Sequence, residues 1–454
     1  MRISFLPDRA FLSGLVKIAL PIIIQLIITN GLSLVDITLI GQLGDTAVAG
    51  VGLANQAYFL FTLLLFGISS ASAIFTAQYW GLGDVKNIRK VLGLCVVLSL
   101  AGGTLFAIIA VIFPEKMLAI YSNDPAVIAV GSRYLRIAGL GYLPLSITYS
   151  YSSILRSVGA VKIPMLVSGG ALCLNTLMGY ALIFGKFGMP ALGVAGAATA
   201  ICIARVLEVL ALLAITYLGK TPAAANLAEM LAFDFSFVKR YLKTCSPVII
   251  NEMAWSVGFS TYTLVYAHIG TDSVAAANIC SSIENLANVF FLGLAFGCAV
   301  LVGNRIGSNE EHTAFQYARN SIVLAVIGGL MMGGIILLEG DGVLSFYKIS
   351  AETFKNAHYI LLVLSATIWI KACNVVMFIG VLRSGGDTRF AFILETFSMW
   401  CIGVPMAFIG AFIFHLPVYW VALLVISDEL FKLFVTLPRF FSHKWIHNLA
   451  HHPA

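Results

Sequence analysis

The sequence predicts an all-α polytopic membrane protein of about twelve transmembrane helices, built as two six-helix lobes related by a pseudo-two-fold axis along the membrane normal. Three observations carry this. Of 454 residues, 60% are hydrophobic and 11% charged, against about 25% charged in a soluble domain, and the mean hydropathy is +0.96. Apolar runs follow one another with short polar gaps, and each span needs roughly 20 apolar residues to cross about 30 Å of hydrocarbon. The two halves of the chain also align with each other at a nearly fixed offset. Runs that are apolar on every face read as helices, because barrel strands alternate with period two.

Taken in order, the spans fall at 15–40, 48–80, 90–113, 127–155, 162–185, 193–218, 244–269, 275–304, 316–338, 356–382, 389–414 and 417–438. The first apolar run, Ile18 to Ile40, is long enough to span and has no convincing small-residue cleavage site, so it reads as a retained helix. The one long polar interruption, Gly219 to Lys243, holds Lys220, Glu229, Asp234, Lys239, Arg240 and Lys243. It divides the chain into an N-terminal lobe (1–218), a cytoplasmic linker (219–243) and a C-terminal lobe with a short cytoplasmic tail (244–454). No segment has room for a nucleotide-binding domain, and the phosphate-cradling GxxxxGK[ST] loop is absent, which argues against ATP coupling within this chain.

At an offset of 226, Pro21 falls on Pro247, Gly44 on Gly270, Val48-Ala49 on Val274-Ala275, Gly67 on Gly293 and Gly81 on Gly307. At 227, Leu155-Arg156-Ser157 falls on Leu382-Arg383-Ser384. Six spans is an even number, so both repeats enter the membrane in the same sense and must be related about the membrane normal. With both termini cytoplasmic, 17 basic residues fall in inside segments, from Arg2 to Lys444, and only Lys116, Lys186, Lys348 and Lys355 fall outside. That asymmetry is the positive-inside pattern. The eight cysteines lie in or beside apolar runs without a CxxC pair and read as small packing residues.

An ionisable group at bilayer depth costs at least about 2.5–3.5 kcal/mol, so each one is a candidate for function. Asp36 lies well inside the first span with no basic residue one turn away. Such a carboxylate can exchange a proton or hold Na⁺ with neighbouring oxygens, or it can be a structural acid bonded to a nearby helix. Glu252, about two turns into the seventh span, could work alongside it or satisfy a basic neighbour. Glu395 and Lys371 could form an ion pair or contact substrate, and Glu284 stands alone in the eighth span. Arg205 with Glu208 and Asp428 with Lys432 have the spacing of internal helix pairs. Pro21 and Pro247 could bend their helices or be ordinary first-turn prolines. Tyr58, Phe61, Tyr142, Trp255, Tyr262 and Trp369 could stack on an organic cation or simply pack. The tail histidines His443, His447, His451 and His452 have a spacing that permits metal binding but suits a plain surface tail better; no metal site is assigned.

The stretches Pro21 to Asp36, Leu43 to Gly50, Ile154 to Gly159, Gly193 to Ala200 and Val381 to Thr388, in this order and spacing, resemble the bacterial type of multidrug and toxic compound extrusion (MATE) transporter. The resemblance covers essentially the whole chain. It implies two six-helix lobes, a central cavity, and export of small organic, often cationic, compounds in exchange for H⁺ or Na⁺, with no cofactor. It also implies residence in the bacterial cytoplasmic membrane, with small organic substrates and the lipid bilayer as partners, and a monomer and no nucleic acid expected. The family's first-helix acid corresponds to Asp36, its bending proline to Pro21, its fifth-helix asparagine to Asn175 and its sixth-helix threonine to Thr199. Where members with a full N-lobe site carry an aspartate, this chain has Gly179, which weakens Na⁺ binding and favours H⁺. The C-lobe acids match poorly: Glu252 sits about one turn toward the cytoplasm, and the tenth span shows Lys371, Ala372, Cys373 and Asn374.

The leading expectation is thus a secondary antiporter working by alternating access. A lipid-linked oligosaccharide flippase of the same superfamily is the alternative, though it would usually show more spans and a more basic cavity. A polytopic membrane enzyme stands last, since HExxH, GxSxG and a His-acid cluster within the spans are all absent.

Overall fold

Twelve long helices run through residues 8–451, the part of the chain that the computed structural model describes. They are Arg9–Gly41, Asp45–Leu82, Val85–Ile112, 125–157, Lys162–Phe184, Val194–Leu218, Phe235–Ile269, Thr271–Gly307, Glu311–Leu344, Ala351–Arg383, Thr388–Ile413 and Val418–Phe441, called here the first to the twelfth. Each of the twelve expected spans has its helix. Arg2 and His452 lie outside the described residues. Among the described residues nine of the helices are long and apolar enough to cross a membrane. The fourth, seventh and twelfth are more polar, carrying Arg133 and Arg136, then Asn251 and Glu252, then Asp428, Glu429 and Lys432. No strand forms among the described residues beyond one isolated bridge, Gly386 to Ile446. In hydrocarbon each backbone N–H and C=O must find a partner within its own segment, which the helix provides. Outward faces are apolar, with Leu105, Leu166, Leu177 and Phe434 all exposed, as expected where lipid is the solvent.

The chain forms two compact units: residues 8–23 with 246–451, and residues 24–245. This differs from a division at 218 and 244. The first and seventh helices run unbroken through Pro21 and Pro247, and the change of unit falls within two residues of each proline. The reason is close packing. Ala19 and Ile23 approach Gly293, Leu15 approaches Gly297, and Phe11 packs on Tyr317 with ring centroids 5.0 Å apart. In the other unit, the early turns of the seventh helix bring Tyr241 to the Ser72 hydroxyl at 2.5 Å and to the Phe75 ring at 5.6 Å. Both prolines stand twelve residues into their helices, counted from Arg9 and Phe235, so the first-turn reading does not hold for either.

The expected linker is also shorter and more ordered than 219–243. Its last residues belong to the seventh helix, which starts at Phe235, and it contains the short helix Leu227–Met230. Asn226 and Glu229 form a reciprocal capping box, Arg89 donates to Glu229 at 2.5 Å, and Ala223, Ala225 and Met230 are buried. Gly93 receives the Met230 carbonyl so closely that a Cβ there would overlap it. The backbone N–H of Asn226, assisted by Arg89, holds the Glu229 carboxyl below the ordinary carboxylate range; the Ser236 hydroxyl and the Phe237 N–H do the same for Asp234.

Backbone geometry repeats with the sequence. Positive φ recurs at Gly44 and Gly270 and at Gly83 and Asn309, offset by 226, then at Gly159 and Gly386 and at Gly188 and His415, offset by 227. Between these pairs the tenth helix carries a π-helical stretch, Val376–Arg383, a common way for a helix to take up an inserted residue. The tail is docked rather than free. Trp445 is fully buried against Gly385, His443 stacks on Phe315 at 4.2 Å, and Asn448 donates to the Ile306 carbonyl at 2.8 Å.

Candidate functional site

In the unit 24–245, the first helix carries Asp36 half-buried, and the fifth helix meets it with two consecutive side chains. Asn175 donates its amide to Asp36 Oδ2 at 2.7 Å, and the Thr176 hydroxyl donates to Oδ1 at 3.3 Å. Asp36 forms no ion pair among the described residues, and Asn175 Oδ1, which is buried, has no hydrogen-bond partner. The carboxylate is therefore held by neutral donors alone, and charge-assisted bonds of this kind contribute about 1.5–3 kcal/mol each. Gly179, one turn beyond Asn175, is buried, and a Cβ there would meet only the Ala200 Cβ, at 4.0 Å.

Thr199 does not bond to Asp36; its hydroxyl donates back to the Ala195 carbonyl at 2.8 Å. Thr176 was not singled out from the sequence, although its place beside Asn175 was the available signal. Arg205 is within electrostatic reach of Asp36 but is bonded elsewhere, to Glu208 at 2.7 Å and to the Tyr58 hydroxyl at 3.2 Å. Ser168 donates to the other Glu208 oxygen at 2.7 Å, so the expected helix pair forms and is closed by two more groups.

In the other unit the candidate acids are not free. Glu252 is bonded by Arg383 at 2.7 Å, and the same guanidinium reaches Glu395 at 3.5 Å. Asn251 donates to Glu395 at 2.5 Å. Lys371 and Glu395 do not pair with each other, and Glu284 does not stand alone, because Lys371 bonds Glu284 at 2.6 Å. The charges on the eighth and tenth helices meet directly, a tertiary contact that sequence order did not reveal. Asp428 and Lys432 pair as expected at 3.3 Å, but Lys432 lies nearer to Glu429, at 2.9 Å. Asn374, where an acid was expected, donates to Glu429 Oε2 at 2.6 Å.

Of the aromatic candidates, Phe61 and Tyr142 pack on each other in the core at 4.6 Å, and Trp255 stacks on Phe259 at 5.5 Å. No group of three His, Cys, Asp or Glu side chains suited to a metal occurs among the described residues.

Comparison with known proteins adds to this geometry. The MatE family model matches residues 21–181 and again 247–409, two stretches whose starts are 226 residues apart. A relative from Thermotoga maritima named "Probable multidrug resistance protein NorM" is 25% identical over 433 residues, covering 95% of this chain and 92% of its own length. One of the same name from Bradyrhizobium diazoefficiens is 27% identical over 409 residues, covering 87% and 86%. Among solved structures, a MOP superfamily transporter from Pyrococcus furiosus superposes with a TM-score of 0.86 at 18% identity, over 95% of this chain and 96% of that one. A multidrug resistance MATE family transporter gives 0.86 at 19%, with the same coverage. Together with the twelve helices and the twofold match along the sequence, these findings establish that the chain belongs to the MatE family of multi-pass membrane transporters and is not an enzyme.

Proposed function

We propose that the protein is a secondary active antiporter that exports small organic, often cationic, compounds in exchange for H⁺, with Asp36 as the group that takes up the coupling ion. One observation carries the reading: an acid at the depth of the first span is bonded by two neutral donors and by no cation. A carboxylate held this way can be neutralised by a proton or by a cationic substrate, and competition between the two links their fluxes. The donor set favours H⁺ over Na⁺. Asn175 presents its amide N–H to Asp36 rather than its oxygen, and Gly179 supplies no second carboxylate. A bare metal ion needs several oxygen ligands, whereas a proton needs one. The excess of basic residues in the segments of one side supports cytoplasmic termini and a place in the bacterial cytoplasmic membrane.

The test is dye efflux in proteoliposomes under separately imposed H⁺ and Na⁺ gradients. The wild type should respond to the H⁺ gradient and Asp36→Asn should fall to the rate of protein-free vesicles. Equal efflux by the variant and the wild type under both gradients would refute the role of Asp36, and efflux driven by Na⁺ alone would replace the coupling ion.

A further inference from the structure

The repeat places Tyr262 at the position of Asp36, at an offset of 226, and Gly403 at the position of Thr176, at 227. The contact is preserved while its chemistry changes. Thr176 touches Asp36; a side chain on Gly403 would instead meet the Tyr262 hydroxyl, and its Cβ would lie 3.3 Å from Asp428 Cγ. The tyrosine hydroxyl and the aspartate carboxyl thus border one small space above a glycine. Tyr262 is 8% exposed and its hydroxyl has no hydrogen-bond partner. Asn374, at 4% exposed, gives its amide to Glu429 and leaves Oδ1 without a partner.

The groups that act electrostatically on Tyr262, Tyr266 and Asp428, or bond to their neighbours, come from four helices. Tyr262 and Tyr266 belong to the seventh, Glu284 to the eighth, Lys371 and Asn374 to the tenth, and Glu429 and Lys432 to the twelfth beside Asp428. Glu395 of the eleventh also acts electrostatically on Lys432. Lys371 is bonded to Glu284, and Lys432 is shared between Asp428 and Glu429. Three carboxylates therefore face two ammonium groups, with the Asp428 side chain 4% exposed. A buried charge without a counter-charge is strongly disfavoured.

We infer that Asp428 is a second proton-exchange site, in which one proton neutralises the excess carboxylate and the Tyr262 hydroxyl serves as its hydrogen-bond partner. A proton fits better than a metal ion because the Lys432 ammonium already occupies one side of Asp428 and would repel a second cation. The step is simple: water delivers H⁺, an O–H bond forms on Asp428, and Tyr262 keeps its own proton throughout. A phenol hydroxyl donates to the ionised acid and accepts from the protonated one, so it is a partner in both states. The protonation stands on this geometry alone; its use in transport rests on the H⁺-antiport reading above.

Infrared difference spectra of the full-length protein in lipid, recorded as pH is lowered, follow the C=O band of protonated carboxyl groups directly. The wild type should show bands from both Asp36 and Asp428. Asp36→Asn should remove one and Asp428→Asn the other, while Tyr262→Phe should shift the Asp428 band by loss of its hydrogen bond. A folded Asp428→Asn protein with the wild-type spectrum would overturn the proposal. Should that variant not fold, Tyr262→Phe decides, and an unshifted set of bands overturns it. If Asp36→Asn kept full H⁺-driven efflux while the Asp428 band persisted, the antiport role of Asp36 would fall and this site would stand.

Discussion

The two units bury charge in different ways. In residues 24–245, Asp36 is held by neutral donors and the one buried ion pair, Arg205 with Glu208, balances to zero. In the other unit Glu252 and Glu395 share Arg383, while Glu284, Asp428 and Glu429 share Lys371 and Lys432, each group one carboxylate in excess. The repeat makes the contrast sharper. At the offset of 227 that relates Gly188 to His415, Arg205 of the sixth helix falls on Lys432 of the twelfth, and each is the basic member of an i,i+3 ion pair in its own unit. The cation keeps its place in the repeat, while its acid lies three residues after it in the one unit and three residues before it in the other. Helix packing constrains shape and pairing, whereas the order of the two charges is free to differ, so a duplicated backbone can carry two distinct electrostatic sites.

The largest test of this contrast is Arg383→Ala. It strands the buried Glu252 and takes the guanidinium from half-buried Glu395, which keeps Asn251, and breaking a buried pair from one side costs about 3–5 kcal/mol. A thermal unfolding midpoint in detergent should fall steeply; a midpoint within a degree or two of the wild type would show that Glu252 and Glu395 do not depend on the guanidinium. Arg205→Ala should cost less, about 1.5–3 kcal/mol for the loss of a charged hydrogen bond, because Glu208 keeps Ser168 and only one acid is left behind. Equal losses in the two variants would remove the distinction drawn between the units.

The smallest effect belongs at the surface. Glu229→Gln should raise amide exchange in residues 223–230 at neutral pH while leaving the helices protected, since it weakens the capping box and the Arg89 contact. The pH dependence follows from the lowered pKa of Glu229. Its anchoring is present above the ordinary glutamate pKa and is lost as pH falls through the lower folded value, so protection of the wild-type segment should persist into mildly acidic buffer. Loss of protection already near neutrality would contradict this.

Much of the architecture was legible without coordinates. Twelve spans and the offset near 226 follow from run length and periodic recurrence, Asp36 is marked as an acid with no cation one turn away, and Asn175 is named only by the family resemblance. What could not be read were pairings between helices distant in sequence. Lys371 and Glu395 are close along the chain yet bond to Glu284 and to Arg383 respectively. The polar stretch 219–243 looked like a tether and is a docked segment, because Met230 and Ala225 find burial against other helices that composition cannot locate. Likewise Pro21 and Pro247 read as lying near span starts, whereas about three turns of helix precede both.

The sequence by itself determined which segments cross the membrane and which acids, Asp36 and Glu284 among them, stand without a local partner, since hydrophobic transfer and helical reach depend on residues near one another in the chain. Only the tertiary structure decided which charges neutralise which, that Thr176 rather than Thr199 completes the Asp36 contact, and that Tyr262 and Asp428 both border Gly403. Those outcomes depend on how helices rotate and pack, and a side chain's Coulomb and hydrogen-bond energies are set by the few ångströms that packing fixes.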